Sequence, residues 1–212
     1  MTASKQPRPD AAESPVRERI LEAALAAFVE SGYSETSTLR IATRARVSKR
    51  ELYALVGKKQ EMLIACITER AGKLRLPAHM PMPRDRATLA AVLADFGAQM
   101  LREVSDPATI AVFRFAIAEA ERVPEVAHAL DSIGRAASRT ALRDMLAKAR
   151  QAGLLSGSPA EMAEQFMALL WGDLMMSLLL RVAERPSPRE IKRRTHNATA
   201  AFLAFHTPDR AE

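Results

Sequence analysis

Two short amphipathic segments, residues 38–44 and 49–55, are joined by only four residues, Ala45-Arg46-Val47-Ser48. That spacing reads as a pair of short helices meeting at a tight turn. Charge is concentrated in the same place. Between residues 36 and 59 stand seven basic residues (Arg40, Arg44, Arg46, Lys49, Arg50, Lys58 and Lys59) against one acid, Glu51. The local charge of +6 equals the formal net charge of all 212 residues, so the rest of the chain is balanced. A positive patch on paired short helices is the footprint of a protein seated on DNA phosphates. A charge run is more often a solvated face, but the helical spacing argues against that here.

Residues 15–31 read as one helix, with Ile20, Leu21, Ala24, Leu25 and Phe28 on one face. Ser14 and Pro15 suit its start, and Gly32 suits a left-handed stop. Thr36, Ser37 and Thr38 open the next helix. Their hydroxyls have two roles available, capping it or bonding a phosphate oxygen beside its free amides. Leu39, Ile41 and Ala42 are expected to point inward. Ser48-Lys49-Arg50-Glu51 has the form of a capping box, which favours Glu51 as a cap over Glu51 as a reader of cytosine. Lys49 and Arg50 are left on the first turn of that helix, where side chains reach base edges. Arg50 can bond both acceptors of a guanine, worth about 1–3 kcal/mol of discrimination. Leu52 and Val56 should face the core. Lys58 and Lys59 begin a further helix through Met62, Leu63, Ala65, Cys66 and Ile67. Cations oppose the helix dipole there unless a phosphate lies between them.

The motifs Ile20-Leu21-x-x-Ala24, Phe28-x-x-x-Gly32-Tyr33, Thr38, Ile41-Ala42, Ala45-x-Val47-Ser48, Leu52-Tyr53-x-x-Val56-x-x-Lys59 and Leu63 stand in fixed register. Over about residues 16–67 the chain thereby resembles the TetR/AcrR transcriptional regulators. The resemblance implies an all-α homodimer with three N-terminal DNA-binding helices and a larger C-terminal domain for a small effector and dimerisation. It places Thr38, Lys49, Arg50, Tyr53 and Lys59 at DNA, with Tyr53 and Lys59 on phosphates; Tyr53 also suits a core ring with its hydroxyl at the surface. There are departures from the family pattern. Arg46 replaces the usual turn glycine, so the turn is strained by about 1 kcal/mol or takes another form; the alternative is that the arginine adds a phosphate contact. Val56 replaces Phe and Gln60 replaces Glu.

Alanine, leucine and methionine dominate and no strand pattern is evident, which makes the expected fold class all-α. Residues 1–13 read as a disordered arm, 14–76 as the DNA-binding domain (helix-turn-helix at about 37–56) and 84–208 as the C-terminal domain. Between them Pro77-Ala78-His79-Met80-Pro81-Met82-Pro83 reads as a linker. Further helices are expected at 86–104, 107–122, 124–153 (bent near Gly134), 159–183 and 188–205. Cys66, the one cysteine, lies on an apolar face and reads as core. The first residues lack the apolar stretch of a signal peptide, and residues 166–180 are too short to span a bilayer. A cytoplasmic protein without membrane contact is expected.

Residues 113–130 and 164–180 resemble the C-terminal domain of the AefR-like branch. Residues 164–180 are apolar nearly all round, which implies burial on more than one face. The last two long helices are therefore the expected dimer elements, with Gly172 allowing close approach and Phe202, Leu203 and Phe205 completing the bundle. Phe96, Met100, Phe113, Ile117, Met167, Trp171 and Met175 are candidates to line an effector pocket, although such a stripe is more often plain core. Arg114, His128, Glu119, Glu121 and Asp173 are the polar candidates, with Glu119 and Glu121 read as surface charges. Asp173, if buried, needs a partner: an arginine across the dimer or a cationic ligand. The sequence offers no metal-ligand cluster, phosphate-cradling loop or nucleophile elbow, so neither enzyme chemistry nor a cofactor is expected. The reading is a ligand-responsive repressor that binds an inverted repeat in double-stranded DNA as a homodimer and is released by an unidentified small molecule. The alternative is a helical effector-binding protein with a degenerate DNA-binding end, supported by Arg46 and Val56.

Overall fold

A computed structural model describes residues 15–73, 80–132 and 136–208. Among them the chain forms α-helices and no strand: α1 (Pro15–Ser31), α2 (Thr38–Ala45), α3 (Lys49–Leu55), α4 (Lys59–Lys73), α5 (Arg86–Val104), α6 (Pro107–Glu119), α7 (Pro124–Leu130), α8 (Ala136–Gln151), α9 (Pro159–Trp171), α10 (Leu174–Leu179) and α11 (Pro188–Phe205). The all-α expectation holds. The arm at residues 1–13, the Ser14 cap, linker residues 77–79 and the bend at Gly134 lie outside the described residues.

Two apolar clusters hold the helices. The first joins Ile20, Ala24 and Phe28 of α1, Ile41, Ala42 and Ala45 of α2, Leu52 of α3 and Met62, Leu63, Cys66 and Ile67 of α4. It also takes in Val112, Phe115 and Ala116 of α6, so the N-terminal helices share a core with the chain's middle. Phe115 stacks on Phe28, which meets Tyr33, at centroid distances of 5.9 and 5.6 Å. The second cluster is built by α5, α8, α9 and α11 around Phe96, Phe166 and Phe202. Gly97 of α5 makes this packing close: a Cβ there would stand 3.0 Å from Leu170 and 3.2 Å from Thr195.

Three expectations are corrected. Leu39 is 60% exposed, not inward, because the short α2 turns Ile41, Ala42 and Ala45 to the core. The helix expected at 107–122 ends at Glu119; of that expected at 124–153 the described residues form α7 and α8, and the residues that join them lie outside the description. The helix expected at 159–183 breaks at Gly172, whose φ of 48° and ψ of −125° suit glycine alone. Among the described residues of the protomer nothing lies within 4 Å of a Cβ built on Gly172, so within one subunit this glycine serves the break.

Candidate nucleic-acid interface

The α2–α3 turn closes as a Schellman motif. Val47 N–H donates to Ala42 O at 3.0 Å and Arg46 N–H to Thr43 O at 3.2 Å. Arg46 takes the left-handed conformation (φ 55°, ψ 48°) that glycine holds more easily, so the family turn forms with arginine in it. Arg19 Nε, from α1, donates to Ala45 O at 2.8 Å and occupies another free carbonyl at the end of α2.

Serines cap both helices. Ser37 Oγ accepts from Arg40 N–H, and Ser48 Oγ accepts from Glu51 N–H, each at 3.1 Å. Each hydroxyl still has a proton to donate to an anion. The other half of the expected capping box is not made: no hydrogen bond joins Ser48 N–H to the Glu51 carboxylate. Thr38 Oγ1 lies 3.1 Å from Tyr53 Oη, which links the start of α2 to the outer face of α3. Tyr53 is 43% exposed, so its ring is not a core ring. Arg46, Lys49 and Arg50 are exposed, and among the described residues no hydrogen bond or ion pair engages their side chains. Thr36 must be taken out of this group. It is 1% exposed, and its hydroxyl donates inward, near Gly32 O (2.7 Å) and Ala27 O (3.1 Å).

Two of the seven cations are already answered. Glu30 of α1 receives Arg44 Nη1 on both carboxylate oxygens at 2.8 Å and Arg40 Nη2 at 3.4 Å. Glu30 stands outside the basic stretch, so the charge count along the sequence could not register it. The start of α4 is also corrected. Glu61 Oε2 accepts from Lys58 N–H at 2.5 Å, which caps the helix with an acid. Lys59 Nζ turns back to Ser34 O (3.2 Å) and lies 4.4 Å from the Tyr33 ring centroid. The expected clash of both lysines with the dipole is thus relieved within the protein. Burial pushes the Lys59 pKa down, while the charges of Glu119 and Glu35 act against that.

The effector candidates divide. Phe96 and Met100 are buried in the second core, with Phe113, Met167, Trp171 and Met175 half-buried against it. Ile117 is 61% exposed and lines no interior space. Two open clefts, of about 460 Å³ near Ser156 and about 430 Å³ near Asp173, are lined by none of these seven residues. Asp173 is exposed on the second cleft and needs no buried partner. Arg114 caps α10, donating from Nε to Leu179 O at 2.8 Å and from Nη2 to Leu178 O. Glu121 and His128 are exposed, whereas Glu119, read as a surface charge, is buried. Among the described residues no cluster of metal-binding side chains occurs, and no helix is long and apolar enough to cross a membrane.

The arrangement of α2, turn and α3 has known counterparts. Residues 20–66 match the family described as bacterial regulatory proteins, tetR family, and residues 91–208 match the AefR-like transcriptional repressor, C-terminal domain. The solved structure of the flavonoid-responsive regulator FrrA is 29% identical, with 93% of this chain and 99% of that one covered and a TM-score of 0.77. A TetR transcriptional regulator from Agrobacterium tumefaciens is 26% identical over 93% of this chain and 97% of its own, with a TM-score of 0.74. One from Mesorhizobium loti MAFF303099 shares the fold at 22% identity and a TM-score of 0.78, covering 94% of this chain and 100% of that one. No curated protein matches the chain. The model matched at residues 91–208 spans more than half of the sequence, and the chain belongs to the TetR family of DNA-binding, ligand-responsive transcriptional repressors, in its AefR-like branch.

Proposed function

We propose that two copies of this chain bind an inverted-repeat operator, each laying the first turn of α3 in a major groove. The observation that supports this is the row of uncommitted cations, Arg46, Lys49 and Arg50, beside the Thr38–Tyr53 hydroxyl pair. Lys49 and Arg50 face base edges. Arg46, Ser37, Thr38, Ser48, Tyr53 and Lys59 serve phosphates, and Thr36 does not. Residues 14–76 form the DNA-binding domain and 84–208 the effector and dimer domain. The protein works in the cytoplasm as a repressor and not as an enzyme. A small molecule bound among the helices around Phe96, Met100 and Trp171 alters the separation of the two α3 helices. It acts only through its difference in affinity for the two states. FrrA is named as flavonoid-responsive, so a flavonoid panel is the first to try.

The test is selection of the purified protein on a random pool of double-stranded DNA, followed by sequencing. An enriched inverted repeat is expected. Folded, dimeric protein that enriches no sequence at moderate salt would overturn the reading.

A further inference from the structure

Ser34 stands in the α1–α2 connection, shortly before the Ser37 cap, and that connection is fixed from both sides. The Tyr33 ring packs on Phe28, which stacks on Phe115, and the buried Thr36 hydroxyl lies against Gly32 O and Ala27 O. Two cations converge on this serine. Lys59 Nζ, from the start of α4, donates to Ser34 O at 3.2 Å. Arg122 Nη1, from just past the end of α6, donates to Ser34 Oγ at 3.1 Å. Only one serine and its two hydrogen bonds separate the ammonium from the guanidinium. Like charges this close repel unless an anion lies between them. The exposed carboxylates next in sequence, Glu35 and Glu121, form no ion pair with either cation. Arg122 is also well anchored. Its N–H donates to Glu119 O at 3.0 Å, and its neighbour Val123 is buried in the first apolar cluster, which α1, α4 and α6 share.

We propose that Arg122 is a further DNA-phosphate ligand, supplied from outside residues 14–76: with Lys59 and the Ser34 hydroxyl it holds a backbone phosphate of the bound duplex. This rests on the reading of Lys59 as a phosphate ligand. The donors are at hand. Arg122 spends one of its several N–H groups on Ser34, and the Ser34 hydroxyl, while accepting that bond, keeps its own proton to donate. A phosphate oxygen between the two side chains meets an ammonium, a guanidinium and a hydroxyl, and the hydrogen bonds it accepts from the cations are the strong, charge-assisted kind. The contact is to the backbone, so it adds affinity on every sequence and no base preference.

The test is the salt dependence of binding to a random-sequence DNA duplex of fixed length, measured with the full-length protein. Arg122→Gln keeps a donor for Ser34 and removes the charge. It should weaken binding at low salt and lower the salt slope by about one unit for each subunit bound. Its deficit should therefore shrink about threefold per subunit between about 50 and 200 mM salt. Arg122→Lys retains the charge and should retain the slope. An unchanged slope in Arg122→Gln would reduce the Arg122–Ser34 bond to a staple between α6 and the α1–α2 connection and overturn the inference. An equal drop in Arg193→Gln, on α11 and outside the first cluster, would do the same, because the loss would then follow net charge alone. Lys59→Ala separates the two readings. A lowered slope there, with none in Arg122→Gln, overturns the inference and leaves Lys59 as a phosphate ligand. Unchanged slopes in both would overturn the phosphate reading and the inference together. Should Arg122→Gln fail to fold, Arg122→Met enters the comparison with the same criteria.

Discussion

Arg46 is held in a left-handed conformation and carries one of the free cations at the helix-turn-helix, so its backbone and side chain are separable. Arg46→Ala and Arg46→Gly both remove the charge, and each should lower the salt slope of DNA binding by about one unit. They differ in the backbone alone. The glycine variant should be more stable than the alanine variant by about 1 kcal/mol, read from denaturant midpoints. Equal midpoints would mean that the turn adapts without strain. Cys66 makes a second residue-scale case. Burial pushes its thiol up to about 12 from an ordinary 9.0, and Sγ donates to Leu21 O at 3.3 Å. Below pH 9 the thiol is protonated in both folded and unfolded chains and adds no pH dependence. Above it the unfolded thiol ionises while the folded one does not, so stability falls as pH rises from about 9 towards 12. Cys66→Ala should lose that part of the alkaline decline in a urea titration; an unchanged slope would show that other groups carry it.

At the scale of elements, α1 restrains the charge of α2. Glu30, Arg40 and Arg44 are all well exposed, so their ion pairs contribute at most about 1 kcal/mol to stability. Their larger effect is on DNA. Glu30→Gln should leave the melting temperature nearly unchanged and increase the affinity for non-specific duplex, with a steeper salt slope; an unaltered slope would mean that Arg40 and Arg44 do not face phosphates. The same comparison shows what local pattern carries. Pro15, Gly32, Pro188 and the caps at Ser37 and Ser48 act on their own helix, and the bounds of α1, α5 and α11 were legible from the sequence. Leu39 and Glu119 were misread because their exposure depends on how the helices pack together. Periodicity names a helix face but not what covers it. Gly172 was visible, but its role as a break depends on a backbone angle that no side-chain pattern encodes. The candidate DNA residues were legible as types and spacing, whereas the inward turn of Thr36 and the pairing at Glu30 were not.

At the scale of the whole molecule, an inverted repeat requires a two-fold partner, and α9 and α11 have outer faces that the protomer leaves open. On α9 the exposed row includes Glu161, Glu164, Ala168 and Leu169; on α11 it includes Arg189, Lys192, Arg193, Ala200 and Ala204. The first row begins acidic and the second basic, and both become small or apolar further along. In an isologous interface each patch meets its copy's counterpart, so α9 of one subunit can lie against α11 of the other with opposite charges facing and alanines allowing close approach. Ala200 sits on the open face of α11, away from the core that Ala198 and Phe202 enter. Ala200→Arg places a long cation where two helices are expected to touch, while leaving the protomer's own packing alone. Sedimentation should show a shift from dimer to monomer, with the helical circular dichroism unchanged. Operator affinity should fall towards that of a single half-site, because the second α3 is no longer held in register. A variant that remains dimeric and binds with full affinity would move the two-fold axis to another face of the molecule.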